Sequence, residues 1–220
     1  MLSLEEKEIR RNQIGASEVY KLLNFDTQEA QDLWELKIGL QDYQEIDNDS
    51  ITAGNILEED CLKFYEKSNN VSLTYNERIP DKTINGLVVS LDARECNSSI
   101  PVENKVINER TWLSWVSKKS GNAQYGNIML NIPKSYYYQL QTQISVLGVD
   151  RGVLNVNTLT DEEQDDPINV VITGLHNKQI IIERDKSAIT DIRKRVRYML
   201  HCMKFKVRPS ELDYLEKEVF

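Results

Sequence analysis

Cysteine is too scarce and too scattered to organise this chain. Cys61, Cys96 and Cys202 are odd in number and far apart, which fits reduced thiols and excludes a zinc or iron–sulfur centre built from cysteine alone. Cys61 and Cys202 fall on apolar helix faces and read as passive. No run of about 18 apolar residues occurs, so no membrane-spanning helix is expected. The opening Met1-Leu2-Ser3-Leu4-Glu5-Glu6-Lys7 lacks the basic-then-apolar form of a secretory leader, and the expected location is the cytoplasm. Internal repeats and low-complexity tracts are also missing.

Positive charge is short. A net charge of −8 opposes simple non-specific binding to nucleic acid, whose affinity comes mainly from Lys and Arg at phosphates. The charge is uneven, however. Arg193, Lys194, Arg195, Arg197, Lys204, Lys206 and Arg208 make a late segment basic, whereas 42–49 and 161–166 are acidic blocks that read as solvated loops. The basic segment is either the polar face of an amphipathic helix or a phosphate-tracking face. With 40% hydrophobic residues over 220 positions the chain has enough apolar mass for a core and reads as one domain, 1–220.

Two helices are expected first. Ser17 precedes Val19, Leu22 and Leu23 at helical spacing, and Asp26 with Glu29 forms a capping box ahead of Ala30, Leu33, Trp34 and Ile38, with Gly39 as the stop. A polar linker to about Ile51 leads to a helix over about 54–67 with Leu57, Cys61, Phe64 and Tyr65 in one stripe. Strands are expected at about 71–75, 86–92 and 100–107, then an amphipathic piece around Trp112 and Trp115. A helix from Pro133 to Gly148 follows, then strands at about 151–157, 168–174 and 178–183 and a long helix over 186–204. Strands in the middle with helices before, between and after describe an α/β or α+β fold, a central mixed sheet flanked by helices.

The most informative stretch is Ser90-Leu91-Asp92 followed by Val102-Glu103-Asn104-Lys105. Side chains alternate along a strand, so Glu103 and Lys105 share a face while Asn104 turns away. With Asp92 opposite them, two hard oxygen donors and an ammonium meet. Carboxylates suit Mg²⁺ or Mn²⁺, which polarise a phosphoryl group and acidify a bound water, and Lys105 can orient that water or stabilise developing charge. The pattern points to a metal-dependent nuclease; a solvated hairpin with one ion pair is the plainer reading.

Other residues fall in with this chemistry. Glu58 stands early in the third helix, either as a dipole-stabilised acid or as a carboxylate leaning over the sheet. Ser17 lies at an expected helix start, with Arg10 and Arg11 a short way before it. It reads as a plain cap or as part of a phosphate cradle. Gln139, Gln141 and Gln143 follow Tyr136, Tyr137 and Tyr138 at a density that suggests hydrogen bonds inside a site, with an exposed glutamine face as the alternative.

In order, Arg10, Ile14-Gly15-Ala16-Ser17-Glu18-Val19, Gly54-Asn55-Ile56-Leu57-Glu58, Ser90-Leu91-Asp92, Val102-Glu103-Asn104-Lys105 and Tyr136-Tyr137-Tyr138-Gln139-Leu140-Gln141 resemble the PD-(D/E)XK nuclease superfamily, and within it the phage lambda-type exonucleases or YqaJ-like viral recombinases. The resemblance runs from about Arg10 to Arg208. It implies a restriction-endonuclease-like core in which Glu58, Asp92, Glu103 and the Asn104 carbonyl hold one or two Mg²⁺ ions, with Mn²⁺ able to substitute. It further implies Lys105 as catalytic lysine, Gln139 as its helper, and Arg10, Ser17 and Ser90 as the pocket for a DNA 5′-phosphate. The implied activity is 5′→3′ double-strand exonuclease, acting on DNA ends as a toroidal homotrimer with a single-strand annealing protein as partner. Where the family usually has Pro and Gly around the metal-binding Asp, this chain has Leu91 and Ala93; where a Trp commonly precedes the arginine, it has Glu5 and Glu6. The competing readings are an endonuclease or other processing nuclease, and a nuclease-fold protein that binds DNA without cutting.

Overall fold

A computed structural model describes residues 3–43, 49–117 and 121–216. Helix α1 (Leu4–Arg11), which the sequence did not announce, starts with Ser3 and Glu6 exchanging the two hydrogen bonds of a capping box. The short strand β1 (Ile14–Gly15) runs into a 3-10 helix, Ala16–Leu23, and then α2 (Gln28–Lys37). Two expected caps move. Thr27, not Asp26, accepts from the Ala30 N–H, while Asp26 accepts from Glu211 N–H. Gly15 occupies the cap position expected for Ser17, and Glu18 accepts its N–H at 2.8 Å.

Helix α3 (Asp49–Asn69) begins before the expected end of the linker; 44–48, most of one acidic block, lie outside the described residues. Strands β2 (Leu73–Pro80), β3 (Leu87–Glu95) and β4 (Pro101–Asn108) follow, then α4 (Glu109–Trp115) and three short strands, β5 (Val116–Ser117), β6 (Ala123–Tyr125) and β7 (Ile128–Leu130). Helix α5 (Lys134–Leu147) opens after Pro133 and closes at Gly148, whose φ of 72° is the left-handed C-terminal stop that favours glycine. Strand β8 (Arg151–Leu159), α6 (Asp161–Asp165), β9 (Asn177–Glu183), α7 (Lys186–Phe205) and α8 (Glu211–Glu216) complete the order.

The second acidic block is thus a short helix capped by Thr160 rather than a loop. No strand forms over 168–174. Pro167 opens a 3-10 turn and Val171 and Leu175 stay exposed, because β8 and β6 already pair with β9. Ile172 packs instead on Ala53, Leu57 and Cys61 of α3.

The sheet is mixed, ordered β1-β3-β4-β8-β9-β6-β7-β5, with β2 added on β3. Helix α5 covers one face through Leu140 and Ile144 against Leu154, Val156, Ile180 and Ile182. Helix α3 covers the other, with Leu62 and Tyr65 against Leu73, Ala93, Val102 and Val153. The burial of β8 from Gly152 to Leu159 follows from this double cover. A third cluster joins Val19, Leu22, Phe25 and Leu33 to Ile192, Val196 and Met199 of α7.

Three of the seven basic residues of the late segment are taken up in internal contacts, while Lys194, Arg197, Lys204 and Lys206 stay exposed. Arg193 grips both oxygens of Asp81 at 2.9 and 3.0 Å, Arg195 binds Asp191, Glu211 and the Leu22 carbonyl, and Arg208 donates to Gln31. Burial opposes the Asp81 charge, but Arg193 and the Thr83 and Ile84 N–H groups outweigh it and hold the carboxyl at about 2. Cys61 and Cys202 are buried and neither is in a disulfide, and burial pushes the Cys61 thiol up to about 12, which makes it inert. Among the described residues no helix is long and apolar enough to cross a membrane.

Gly86 turns the chain into β3 at φ 99°, and a Cβ there would meet Leu200 Cδ2 at 2.8 Å. Gly86→Ala should therefore cost roughly 1–3 kcal/mol, from the left-handed backbone and the clash together. Urea unfolding checks this; an unchanged midpoint would mean that the α7 contact gives way freely.

Candidate active site

Strand β2 lies along one edge of β3, from Leu73 opposite Glu95 to Pro80 opposite Val88. The other edge is divided. Strand β1 takes Leu87 and Val88 in parallel, and β4 takes Ala93 and Arg94 antiparallel, so 89–92 have no strand beside them. Beyond Val102, β4 leaves β3 and pairs in parallel with β8 as far as Asn108. Strand β3 runs on to Glu95, past the end expected at Asp92, and this register sets Asp92 opposite Glu103 at the fork. The Asp92 carboxylate fills the gap there by accepting the Asn104 N–H at 2.8 Å, a donor that buried backbone cannot leave unpaired.

Glu103 is buried, with 1% of its surface exposed, and three side chains hold it. Lys105 Nζ lies 2.5 Å from Oε1 and Gln139 Nε2 donates to the same oxygen at 2.7 Å, while Gln143 Nε2 donates to Oε2 at 2.6 Å. Gln139 and Gln143 are four residues apart on α5 and so point the same way. Gln141 points elsewhere, clamping the Glu183 carbonyl and the Asp185 N–H. The ring of Tyr136 lies 5.5 Å from the Lys105 ammonium, within cation–π reach.

Burial and then the Glu103 charge push the Asp92 carboxyl up to about 7, with Glu58 adding to the effect and Lys105 and the Asn104 N–H working against it. For Lys105 burial opposes the charge, but Glu103 and Asp92 overcome it and raise its pKa, so it is an ammonium at neutral pH. Two facing carboxylates with one ammonium form a site short of positive charge. A divalent cation fits that deficit, since both acids are hard oxygen donors, and the buried Oε1 of Gln143 is a further oxygen with no hydrogen-bond partner. Among the described residues no three His, Cys, Asp or Glu side chains gather closely enough to share an ion. Glu58 lines a neighbouring cleft of about 530 Å³ with Asn55, Lys63 and Tyr75 and acts on Asp92 through its charge.

On the opposite face of β4 the Asn104 side chain anchors a buried amide ladder. Its Oδ1 accepts from Asn155 at 2.9 Å and Asn157 at 3.0 Å, and Asn177 donates to both of their oxygens and accepts from Gln179. The ladder ties β4 to β8 and β9 directly behind Glu103 and Lys105. Its signal was present as Asn155 and Asn157, polar residues at strand period inside the apolar run of β8.

Arg10, Ser17 and Ser90 come together along a second cleft of about 220 Å³, and Ser90 stands on the same strand as Asp92. The Gln143 amide also reaches the Ser90 carbonyl at 3.3 Å, linking this cleft to Glu103. Sequence reasoning singled out Gln139 and left open whether Gln141 or Gln143 acts with it; only their directions on α5 tell them apart.

The model of the YqaJ-like viral recombinase domain matches residues 7–150. Among solved structures, an alkaline exonuclease (LHK-Exo) from Laribacter hongkongensis superposes with a TM-score of 0.70 at 21% identity, over 98% of this chain and 97% of that one. Its complex with dAMP gives 0.69 at 22% identity over the same shares. A phage related exonuclease from Haemophilus somnus 129PT gives 0.61 at 16% identity, over 89% of this chain and 95% of that one. At these identities the likeness is one of fold: an α/β molecule with a mixed sheet flanked by helices. No curated protein matches the chain.

The Asp92–Glu103 pair carries a pH signature. With the Asp92 carboxyl raised to about 7, the folded state keeps a proton that the unfolded chain releases near pH 4, so stability falls as pH rises from about 4 to about 7 and then levels. In chelator, Asp92→Asn should lose this component and melt higher than wild type at pH 7.5, with the gap closing toward pH 4. Added Mg²⁺ at pH 7.5 should stabilise wild type and not the variant. Identical melting profiles for the two proteins would assign the charge strain to other groups.

Proposed function

The chain belongs to the YqaJ-like viral recombinase domain family, and on that premise we propose that it is a Mg²⁺-dependent double-strand DNA exonuclease. In this reading it degrades the 5′-ended strand and leaves a 3′ single strand for annealing-type recombination. The observation that carries it is the meeting of Asp92, Glu103 and Lys105 at the fork of β3 and β4, two residues along β3 from Ser90 of the second cleft. That interval is about 7 Å of extended strand. A terminal phosphate seated by Arg10, Ser17 and Ser90 would bring the next phosphodiester to the carboxylates.

Asp92, Glu103, the Asn104 backbone carbonyl and Glu58 are the oxygens proposed to hold one or two ions, Mn²⁺ substituting for Mg²⁺. When bound, such an ion polarises the scissile phosphoryl group and acidifies the attacking water. Gln139 and Gln143 keep the Glu103 carboxylate in one orientation by engaging both of its oxygens. Lys105, held charged by its acidic neighbours, stabilises negative charge that grows on the phosphoryl oxygens in the transition state. Arg10 positions the substrate through its phosphate and reads no base.

A toroidal homotrimer around the duplex suits the charge, because a basic channel can coexist with a net charge of −8. The partner for the product strand would be a single-strand annealing protein.

Lys105→Ala and Asp92→Ala should each lower cleavage of linear duplex by about 10²-fold or more, the scale of losing a transition-state stabiliser, with the fold retained by circular dichroism. Full activity in Lys105→Ala would remove the lysine from the mechanism. On a linear duplex with distinguishable labels at its ends, Mg²⁺ should release the 5′ label first, and covalently closed plasmid should resist. Nicking or cutting of closed plasmid would make the protein an endonuclease; no cleavage with either Mg²⁺ or Mn²⁺ would make it a binding module.

A further inference from the structure

Two side chains at the Ser90 cleft have no part in the reading above. Arg78 lies on β2 directly opposite Ser90 on β3, so the two share a face of the ladder with Cβ atoms about 5 Å apart. It lines the same cleft as Arg10 and Ser17, is exposed, and makes no ion pair with a described residue; its recorded partner is the neutral amide of Gln13. Tyr43 reaches the cleft from beyond α2, and its hydroxyl is buried without a hydrogen-bond partner among the described residues. A buried hydroxyl left unpaired is costly, and it is expected where a ligand completes the pairing.

The charges around these groups define the missing ligand. Lys37 is also present, but its ammonium is spent on Glu18 at 2.8 Å and on the Arg10 carbonyl at 2.9 Å. Glu18 and Lys37 therefore cancel. The guanidiniums of Arg10 and Arg78 remain, a charge of about +2 facing hydroxyls from Ser17, Ser90 and Tyr43. A phosphate monoester carries about −1.5 to −2 at neutral pH and offers three acceptor oxygens, whereas an internal phosphodiester carries a single charge. Burial, and then the Glu18 charge, raise the Tyr43 phenol above its ordinary range, with Arg10, Arg11 and Arg78 pulling the other way. The group is thus an intact O–H donor at working pH.

We propose that Tyr43 and Arg78 are specificity-determining residues that complete a terminal phosphate monoester site. Tyr43 donates its hydroxyl hydrogen to one phosphate oxygen, and Arg78 turns from Gln13 to give charge-assisted hydrogen bonds to the others. This rests on the reading of the protein as an exonuclease that enters at a 5′-phosphorylated end. It adds that the preference for that end is set from β2 and from the segment after α2 as much as from Arg10.

The test measures initial rates on linear duplex bearing 5′-phosphate or 5′-hydroxyl ends, with Mg²⁺, for wild type, Tyr43→Phe, Arg78→Ala and Arg78→Lys. Tyr43→Phe and Arg78→Ala should each cut the ratio of kcat/KM for phosphorylated over hydroxyl ends by about tenfold, through KM, as loss of one hydrogen bond to a charged group does. Arg78→Lys should recover part of the ratio, since it restores charge without the planar fork. Tyr43→Phe should raise the melting temperature or leave it where it was, because removing a buried hydroxyl with no partner among the described residues relieves its burial cost; a purely structural hydroxyl would lower it. If wild type prefers phosphorylated ends and both variants keep its ratio, the inference is overturned and the exonuclease reading stands. If wild type shows no preference the terminal phosphate site falls with it, and if wild type cleaves no linear duplex both readings fall.

Discussion

Everything distinctive about the site depends on a hydrogen-bond deficit at one edge of β3. Strands β1 and β4 divide that edge and leave 89–92 uncovered, and a buried backbone cannot keep its polar groups unpaired. The deficit is met by side chains. Asp92 accepts the Asn104 N–H and the Gln143 amide donates to the Ser90 carbonyl, so the groups that repair the fork are the groups that stand at the site. A continuous β3–β4 ladder would be a sounder sheet, with no room for a carboxylate at this point.

The fork also explains why the charges are tolerated. Asp92 faces Glu103 in a place where burial already disfavours the Asp92 charge, and the fold supplies Lys105, two glutamines and an N–H as partners for the two carboxylates. Partners that engage both Glu103 oxygens leave its carboxylate one orientation, the preorganisation that chemistry at phosphorus needs. Behind it the amide ladder through Asn104, Asn155, Asn157 and Asn177 locks β4 against β8. A single strand thus carries the groups proposed for catalysis on one face and their scaffold on the other.

Net charge misleads for this protein because its arginines are divided between two tasks. Arg193, Arg195 and Arg208 are consumed in ion pairs and hydrogen bonds that fasten α7 and the segments after it to the N-terminal helices and to Asp81. Arg10 and Arg78 line a cleft instead, where, in the reading proposed above, two guanidiniums would act on a phosphate at short range whatever the sum over the surface. Part of the basic run that could have tracked phosphates is thus spent on packing, and the proposed anion site is assembled from residues that are isolated in the chain.

Local patterns settled a good deal. Alternation along β4 puts Glu103 and Lys105 on one side and Asn104 on the other, and Pro133 and Gly148 bound α5, because these outcomes depend on neighbours within one element. Helical spacing within α5 already sets Gln143 beside Gln139 and turns Gln141 away, whereas no such pattern could find that Thr27 and Gly15 do the capping, since each depends on what the rest of the molecule brings close. The strand expected over 168–174 has β-branched residues but no sheet edge to join, a fact that resides in β6 and β9. Neither could any local pattern bring Tyr43, Arg78 and Ser90 to one cleft, because their meeting follows from the order of strands around β3. Chemistry confined to one strand is written in its residue order; a site drawn from several elements exists once the sheet has chosen its partners.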